Sequence, residues 1–217
     1  MTILCIETST SVCSAAVCKD GSLIKQCINY EGSNHARLLP MYIEELLSFA
    51  REQHLSIDAV ALSEGPGSYT GLRIGASTAK GLCYGLNVPL IPVPTLEVLC
   101  EASGVKEGRL IPMIDARRME VYTMMDGETK AVVVENEDSL YAGDEEVYYF
   151  GDGAAKCQQV LTKPNWHFIP DIVPQAQYVC ALAEKSEIRN QKSDLAYYEP
   201  CYLKEFIAAP SHVKGLK

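Results

Sequence analysis

The 217 residues contain four histidines and one tryptophan. His35, His54, His167 and His212 have no ligand spacing between them, and none pairs with a nearby Cys, Asp or Glu, so a structural or catalytic zinc site is not expected. His35 at a helix start and His54 at a helix end read as solvent-facing or capping residues. No C-x-x-C occurs among the nine cysteines, which sit mostly inside apolar runs and read as small buried hydrophobes in a reducing compartment. There is no G-x-S-x-G elbow, and Ser9, Ser11 and Ser14 have no histidine nearby in sequence, which leaves a serine hydrolase or peptidase without its nucleophile and base.

Basic charge is also scarce. With Lys+Arg 19 against Asp+Glu 28, the formal net charge of -9 opposes long-range attraction of a phosphate backbone. Any RNA is then expected to be held by another subunit. No apolar run approaches the roughly 18–20 residues of a membrane span, and the opening MTILCIETST lacks a basic leader-like region. The expected location is cytoplasmic.

What is present is an alternation of strands, glycine turns and helices. Thr2 to Glu7, Val12 to Cys18 and Leu23 to Tyr30 read as three antiparallel strands, with Asp20-Gly21 as the hairpin turn. A helix follows from His35 to Gln53, capped by Asn34 or Ser33. Next come a strand at Ala59 to Ser63, a glycine loop, a helix at Thr70 to Leu86, a strand at Leu90 to Val93 and a short helix at Thr95 to Ala102. The second half echoes this order. Ile111 to Asp115, Val121 to Met125 and Ala131 to Glu135 are strands, Asp126-Gly127 is a turn, and Val147 to Phe150 leads into Gly151-Asp152-Gly153 and a helical run. The expected class is α/β, with duplicated βββαβα lobes at 1–104 and 105–217, the plan of the actin, sugar-kinase and heat-shock ATPase (ribonuclease H-like) folds. The second lobe is the smaller and more divergent.

The stretch SEGPGSYTGLRIG, Ser63 to Gly75, is the most unusual in the chain. Its glycines fit neither G-x-x-x-x-G-K-[ST] nor G-x-G-x-x-G, although a loop before a helix N-terminus can still cradle a phosphate. Glycine continues inside the helix at Gly71, Gly75, Gly81 and Gly85, and each interior glycine costs about 1 kcal/mol relative to Ala. Close backbone packing against another helix is one offset, and packing beneath the chain's own sheet is the other. The preceding helix carries Leu38, Leu39, Tyr42, Ile43 and Leu46 on a wide apolar face. Together the two helices suggest a docking face. Glu7 and Asp115 close equivalent strands and read either as an acid and base pair, or magnesium-water ligands, around a nucleotide, or as carboxylates capping turns.

The segments MTILCIETSTSVCSAAV, NHARLLPMYIEELL, AVALSEGPGSYTGLRIGASTAKGL, PLIPVPTLEVL and IDARRMEVY closely resemble the TsaB (YeaZ) family of the bacterial tRNA threonylcarbamoyladenosine pathway. The likeness is dense over the first 125 residues and thin beyond, apart from PCYLKEF. It implies a two-lobed, non-catalytic subunit similar to the N-terminal part of the transferase TsaD. Where TsaD has a metal-binding H-x-x-x-H, this chain has Thr95 and Leu99. The resemblance further implies a heterodimer with TsaD, docking of the ATPase TsaE, a homodimer when alone, only indirect contact with tRNA, and no cofactor, metal or catalytic residue. The implied interface is Leu38, Leu39, Tyr42, Ile43 and Leu46 with Arg73, Gly75, Ser77, Lys80, Gly81 and Tyr84. The competing reading is a nucleotide-binding ATPase or kinase-like enzyme using Glu7 and Asp115, with Thr8 and Ser9 in a cleft that is otherwise vestigial.

Overall fold

The computed structural model describes residues 1–32, 34–184 and 195–204. Strands β1 (Thr2–Glu7), β2 (Cys13–Lys19) and β3 (Ser22–Asn29) run antiparallel, with Thr2 opposite Lys19 at the start of the β1–β2 register. Asp20 and Gly21 take φ of 50° and 75°, the paired left-handed conformation of a tight hairpin turn. Helix α1 (His35–Glu52) crosses back so that β4 (Ala59–Gly65) lies parallel to β1. Its N-cap is Asn34, whose carbonyl rather than side chain accepts from the Arg37 and Leu38 amides; the alternative cap, Ser33, lies outside the described residues. Helix α2 (Tyr69–Leu86) and β5 (Leu90–Pro94) complete a sheet ordered β3-β2-β1-β4-β5.

Helix α3 (Thr95–Ser103) leads into the second half, where β6 (Arg109–Asp115), β7 (Glu120–Met125), β8 (Glu128–Val133), β9 (Val147–Phe150) and β10 (Trp166–Ile169) form a sheet ordered β10-β9-β6-β7-β8. Read from the hairpin side, both sheets have one plan: two antiparallel neighbours, a centre, then two parallel strands. The duplication expected from the sequence is therefore present strand for strand. Its helices are not duplicated equally. The run after Gly153 shortens to a single 3-10 segment, Ala155–Gln159, where the first half has the 18-residue α2. Strand β8 begins three residues earlier than the spacing predicts.

Period-two alternation explains why TILCIE is buried throughout. Leu4 and Ile6 join α1 and α2 on one face, through Leu39, Ile43, Leu46, Ala76 and Ala79. Ile3 and Cys5 turn to the other face, covered by α4 (Ala176–Ala183). Leu4, Leu39 and Leu46 are fully buried, and truncating such a leucine to Ala costs about 2–5 kcal/mol. Helix α4 follows β10 in sequence yet packs on the first sheet, while Leu96 and Leu99 of α3 pack with Ile114 and Phe150 of the second. The two halves thus exchange the helices that follow their fifth strands. The expectation of unpaired cysteines needs correcting at one place: Cys18 of β2 and Cys180 of α4 form a disulfide, with Cα atoms 6.2 Å apart.

Candidate functional site

The glycine loop and the first hairpin turn are built against each other. The Ser68 amide donates to the Ser9 carbonyl at 2.6 Å, and the Thr8 hydroxyl donates to the Gly71 carbonyl at 2.9 Å. A Cβ on Gly67 would lie 2.3 Å from the Ser9 oxygen, one on Gly71 2.1 Å from the Thr8 oxygen, and one on Gly75 2.3 Å from Thr8 Oγ1. These glycines make room for the chain's own β1–β2 turn. The expectation that Gly75 faces a partner helix is therefore corrected, because its only free side is already filled. Gly81 and Gly85 differ, since none of the described residues lies within 4 Å of a Cβ at either position.

Above this junction a cleft of about 740 Å³ separates the two sheets. The turn contributes Ser9, Thr10 and Ser11, the α2 entry contributes Gly67 to Thr70, and the far wall carries Asp115, Arg117 and Arg118. Glu7 and Thr8 are fully buried and are not among the lining residues, in contrast to the sequence-based cleft assignment. Glu7 Oε1 accepts from the Ser9 amide and hydroxyl, both at 2.5 Å. Burial pushes the Glu7 carboxyl above its ordinary value, and the Ser63 and Ser9 hydroxyls and the Ser9 and Thr8 amides, which favour the anion, do not outweigh it. A carboxyl so placed does not face a ligand in the cleft. Asp115 does line it, half-exposed, but pairs with Lys156 and accepts from the Arg117 amide at 3.0 Å. Arg117 and Arg118 both hold left-handed backbone conformations, with φ of 73° and 51°. Tyr202 packs on Tyr69, with ring centroids 5.1 Å apart, and Lys204 pairs with Glu120, so residues 201–204 form one edge of the cleft.

Thr95 and Leu99 are both fully buried. Thr95 Oγ1 lies 2.7 Å from the Ser63 hydroxyl and accepts from the Gly65 amide at 3.0 Å, pinning the start of the glycine loop. Leu99 is a core residue beside Phe150. His35, expected at the surface or in a cap, is buried, and its Nε2 lies 3.0 and 3.2 Å from the Thr10 and Val12 carbonyls. Two acceptors require Nε2 to carry the proton. His54 is exposed at the helix end, as expected, and His212 lies outside the described residues.

The suggested two-helix face divides into buried and open residues. Leu39, Ile43, Leu46 and Gly75 are consumed by the chain's own packing. Arg73 donates to the Tyr69 hydroxyl at 3.0 Å, and Lys80 Nζ donates to the Ala196 and Tyr198 carbonyls at 3.2 Å. Leu38 and Tyr42 are half-buried, whereas Ser77, Gly81 and Tyr84 are open, Tyr84 at 86%. Met41, at 57% exposure, belongs to the same outer surface of α1 and was missed, although its place in LPMYIEE marks it as apolar.

The family model described as TsaD, tRNA N6-adenosine threonylcarbamoyltransferase, matches residues 29–208. TsaB of Escherichia coli K12, named a tRNA threonylcarbamoyladenosine biosynthesis protein, is 28% identical across 96% of each chain. The chain belongs to the TsaB (YeaZ) branch of the TsaD family. Bacillus subtilis TsaB is 36% identical, over 57% of this chain and 54% of its own. YeaZ from Pseudomonas aeruginosa superposes with a TM-score of 0.72 at 26% identity, covering 93% of this chain and 99% of that one. The chain thus has the YeaZ fold, an α/β arrangement of two five-stranded mixed sheets built on one plan. No helix among the described residues is long and apolar enough to cross a membrane.

Proposed function

We propose that this chain is a non-catalytic subunit in tRNA threonylcarbamoyladenosine biosynthesis, docking onto the catalytic subunit TsaD through the outer faces of α1 and α2. TsaE joins that heterodimer, the free chain pairs with itself through the same face, and tRNA is reached only through the partner, in the cytoplasm. The lobe at 1–104 presents the docking helices and the lobe at 105–217 supports them. One observation carries the reading. Gly81 costs its helix about 1 kcal/mol, has open space beside it and stands next to the exposed Tyr84, so nothing among the described residues offsets that cost. A partner backbone approaching Ser77, Gly81 and Tyr84, flanked by Leu38, Met41 and Tyr42, supplies the offset. The absence of catalysis is supported by Thr95 and Leu99 at the H-x-x-x-H positions and by the inaccessible Glu7.

The test is tRNA threonylcarbamoylation reconstituted from TsaD, TsaE and the adenylate-forming enzyme, with and without the chain. Activity is expected only when the chain is added, and Gly81→Leu or Tyr84→Ala is expected to reduce it while circular dichroism stays unchanged. Equal activity in both tubes sinks the subunit reading. The polar cleft keeps one rival in view, a nucleotide enzyme, and calorimetry with magnesium ATP separates the two. Micromolar binding with turnover by the isolated chain favours the rival.

A further inference from the structure

Strands β1 and β2 bring two cysteines to the same face. Cys5 lies opposite Ala16 and Cys18 opposite Ile3, so the two cysteines are diagonal neighbours two positions apart on the sheet surface that α4 covers. Helix α4 sets Cys180 over them. The three sulfurs lie within 4.8 Å of one another and all three residues are buried. Their surroundings are apolar, including Ile3, Ala61, Val93 and Val179. This group is the only one among the described residues in which three or more His, Cys, Asp or Glu ligand atoms gather so closely.

We propose that, once the Cys18–Cys180 pair is reduced, Cys5, Cys18 and Cys180 bind one soft, thiophilic cation of the copper(I) class. Reduction takes two electrons and two protons from a dithiol, which closes to its own disulfide and leaves two thiols here. The monovalent cation then displaces thiol protons as it binds. The ligand count decides the class. Structural zinc is almost always four-coordinate, and this group has no histidine, carboxylate or fourth cysteine to complete a tetrahedron. Sulfur ligands select soft ions, and copper(I) accepts a coordination number of two or three. Because the site is buried between a sheet and a helix from opposite ends of the chain, the ion enters as the chain folds. The inference is independent of the docking role proposed above.

The competing account makes the three cysteines apolar filler. The test refolds the reduced chain without oxygen in the presence of copper(I) bicinchoninate. One equivalent of copper is expected to pass from the chelator to the protein, with an ultraviolet sulfur-to-copper charge-transfer band and three sulfur neighbours by X-ray absorption. Cys5→Ala and Cys180→Ala are each expected to weaken retention by more than about 100-fold, beyond the roughly 10–100-fold that loss of an outer-shell partner costs. Cys100→Ala, outside the cluster, leaves it unchanged. No copper transferred to wild type overturns the proposal without reference to any variant. So do equal retention by Cys5→Ala, nitrogen or oxygen neighbours in the absorption spectrum, or preferential uptake of zinc.

Discussion

Ser9 and Ser68 are joined backbone to backbone, the Ser68 amide donating to the Ser9 carbonyl at 2.6 Å across the junction of the first hairpin and the glycine loop. That single approach explains why side chains are absent from Gly67, and the neighbouring Thr8 contacts explain Gly71 and Gly75.

The glycines of α2 should therefore fall into two classes. Gly71→Ala and Gly75→Ala force atoms into Thr8 and are expected to destabilise by about 2–3 kcal/mol or more. Gly81→Ala, with open space around its Cβ, is expected to gain about 0.5–1 kcal/mol. Urea denaturation of the three variants is the check, and equal effects at Gly75 and Gly81 would contradict the assignment.

Glu7 makes stability depend on pH in an unusual direction. Its native value is raised by burial above the ordinary 4.5, so the native state binds more protons than the unfolded chain between those two values. Stability contributed by the neutral carboxyl is fully present below 4.5 and is lost as pH rises through the native value. Glu7→Gln should flatten this decline. Denaturation midpoints measured from about pH 5 to about pH 8 report it, and an unchanged slope would remove Glu7 as the cause.

Glu137 acts with the opposite sign. Burial pulls its carboxyl up, but the Lys163, Glu137 and Thr162 amides and the Lys163 charge outweigh that effect, and the net direction is down. The stability it contributes is present above the ordinary value of 4.5 and disappears as pH falls through the native one. Glu137→Gln is expected to cost about 1.5–3 kcal/mol at neutral pH, the range for hydrogen bonds to a charged group. The difference from wild type should vanish in acid, and a pH-independent cost would contradict the charge account.

Thr95 holds the entrance to the glycine loop. Thr95→Val keeps the shape and removes the acceptor of the Gly65 amide, leaving that amide without its partner, while the Ser63 hydroxyl keeps its bond to Glu7. The expected cost is about 1–3 kcal/mol, together with faster amide hydrogen exchange at Gly65. Unchanged exchange there would show that the loop is held by other contacts.

Most of the elements were legible because they are written locally. Asp20-Gly21 and Asp126-Gly127 demand left-handed turns, the short continuous apolar run in TILCIE marks a buried strand, and Asn87 and Gly104 end their helices in left-handed conformations. Strand β10 and helix α4 were missed. WHFI has four residues and no alternation, and AQYVCALA follows Gln175, which makes no side-chain cap. At the proposed docking face, the resemblance named residues of α1 and α2 without separating the buried from the open ones. Leu39, Ile43 and Leu46 fit a partner as well as a core by type, and only burial separates them from Tyr84.

The sequence by itself determined the first strand plan, four of the five strands of its repeat, and the position of the glycine loop, since turn chemistry and side-chain periodicity act within a few positions. The tertiary structure alone decided what the glycines admit, which carboxylate reaches the cleft and which sheet α4 covers. Those outcomes depend on contacts such as Thr8 with Gly71, 63 residues apart, and Ser14 with Ala176, 162 apart. Nothing in local spacing encodes a partner that far away, because the chain finds it only when the buried faces of both sheets are packed.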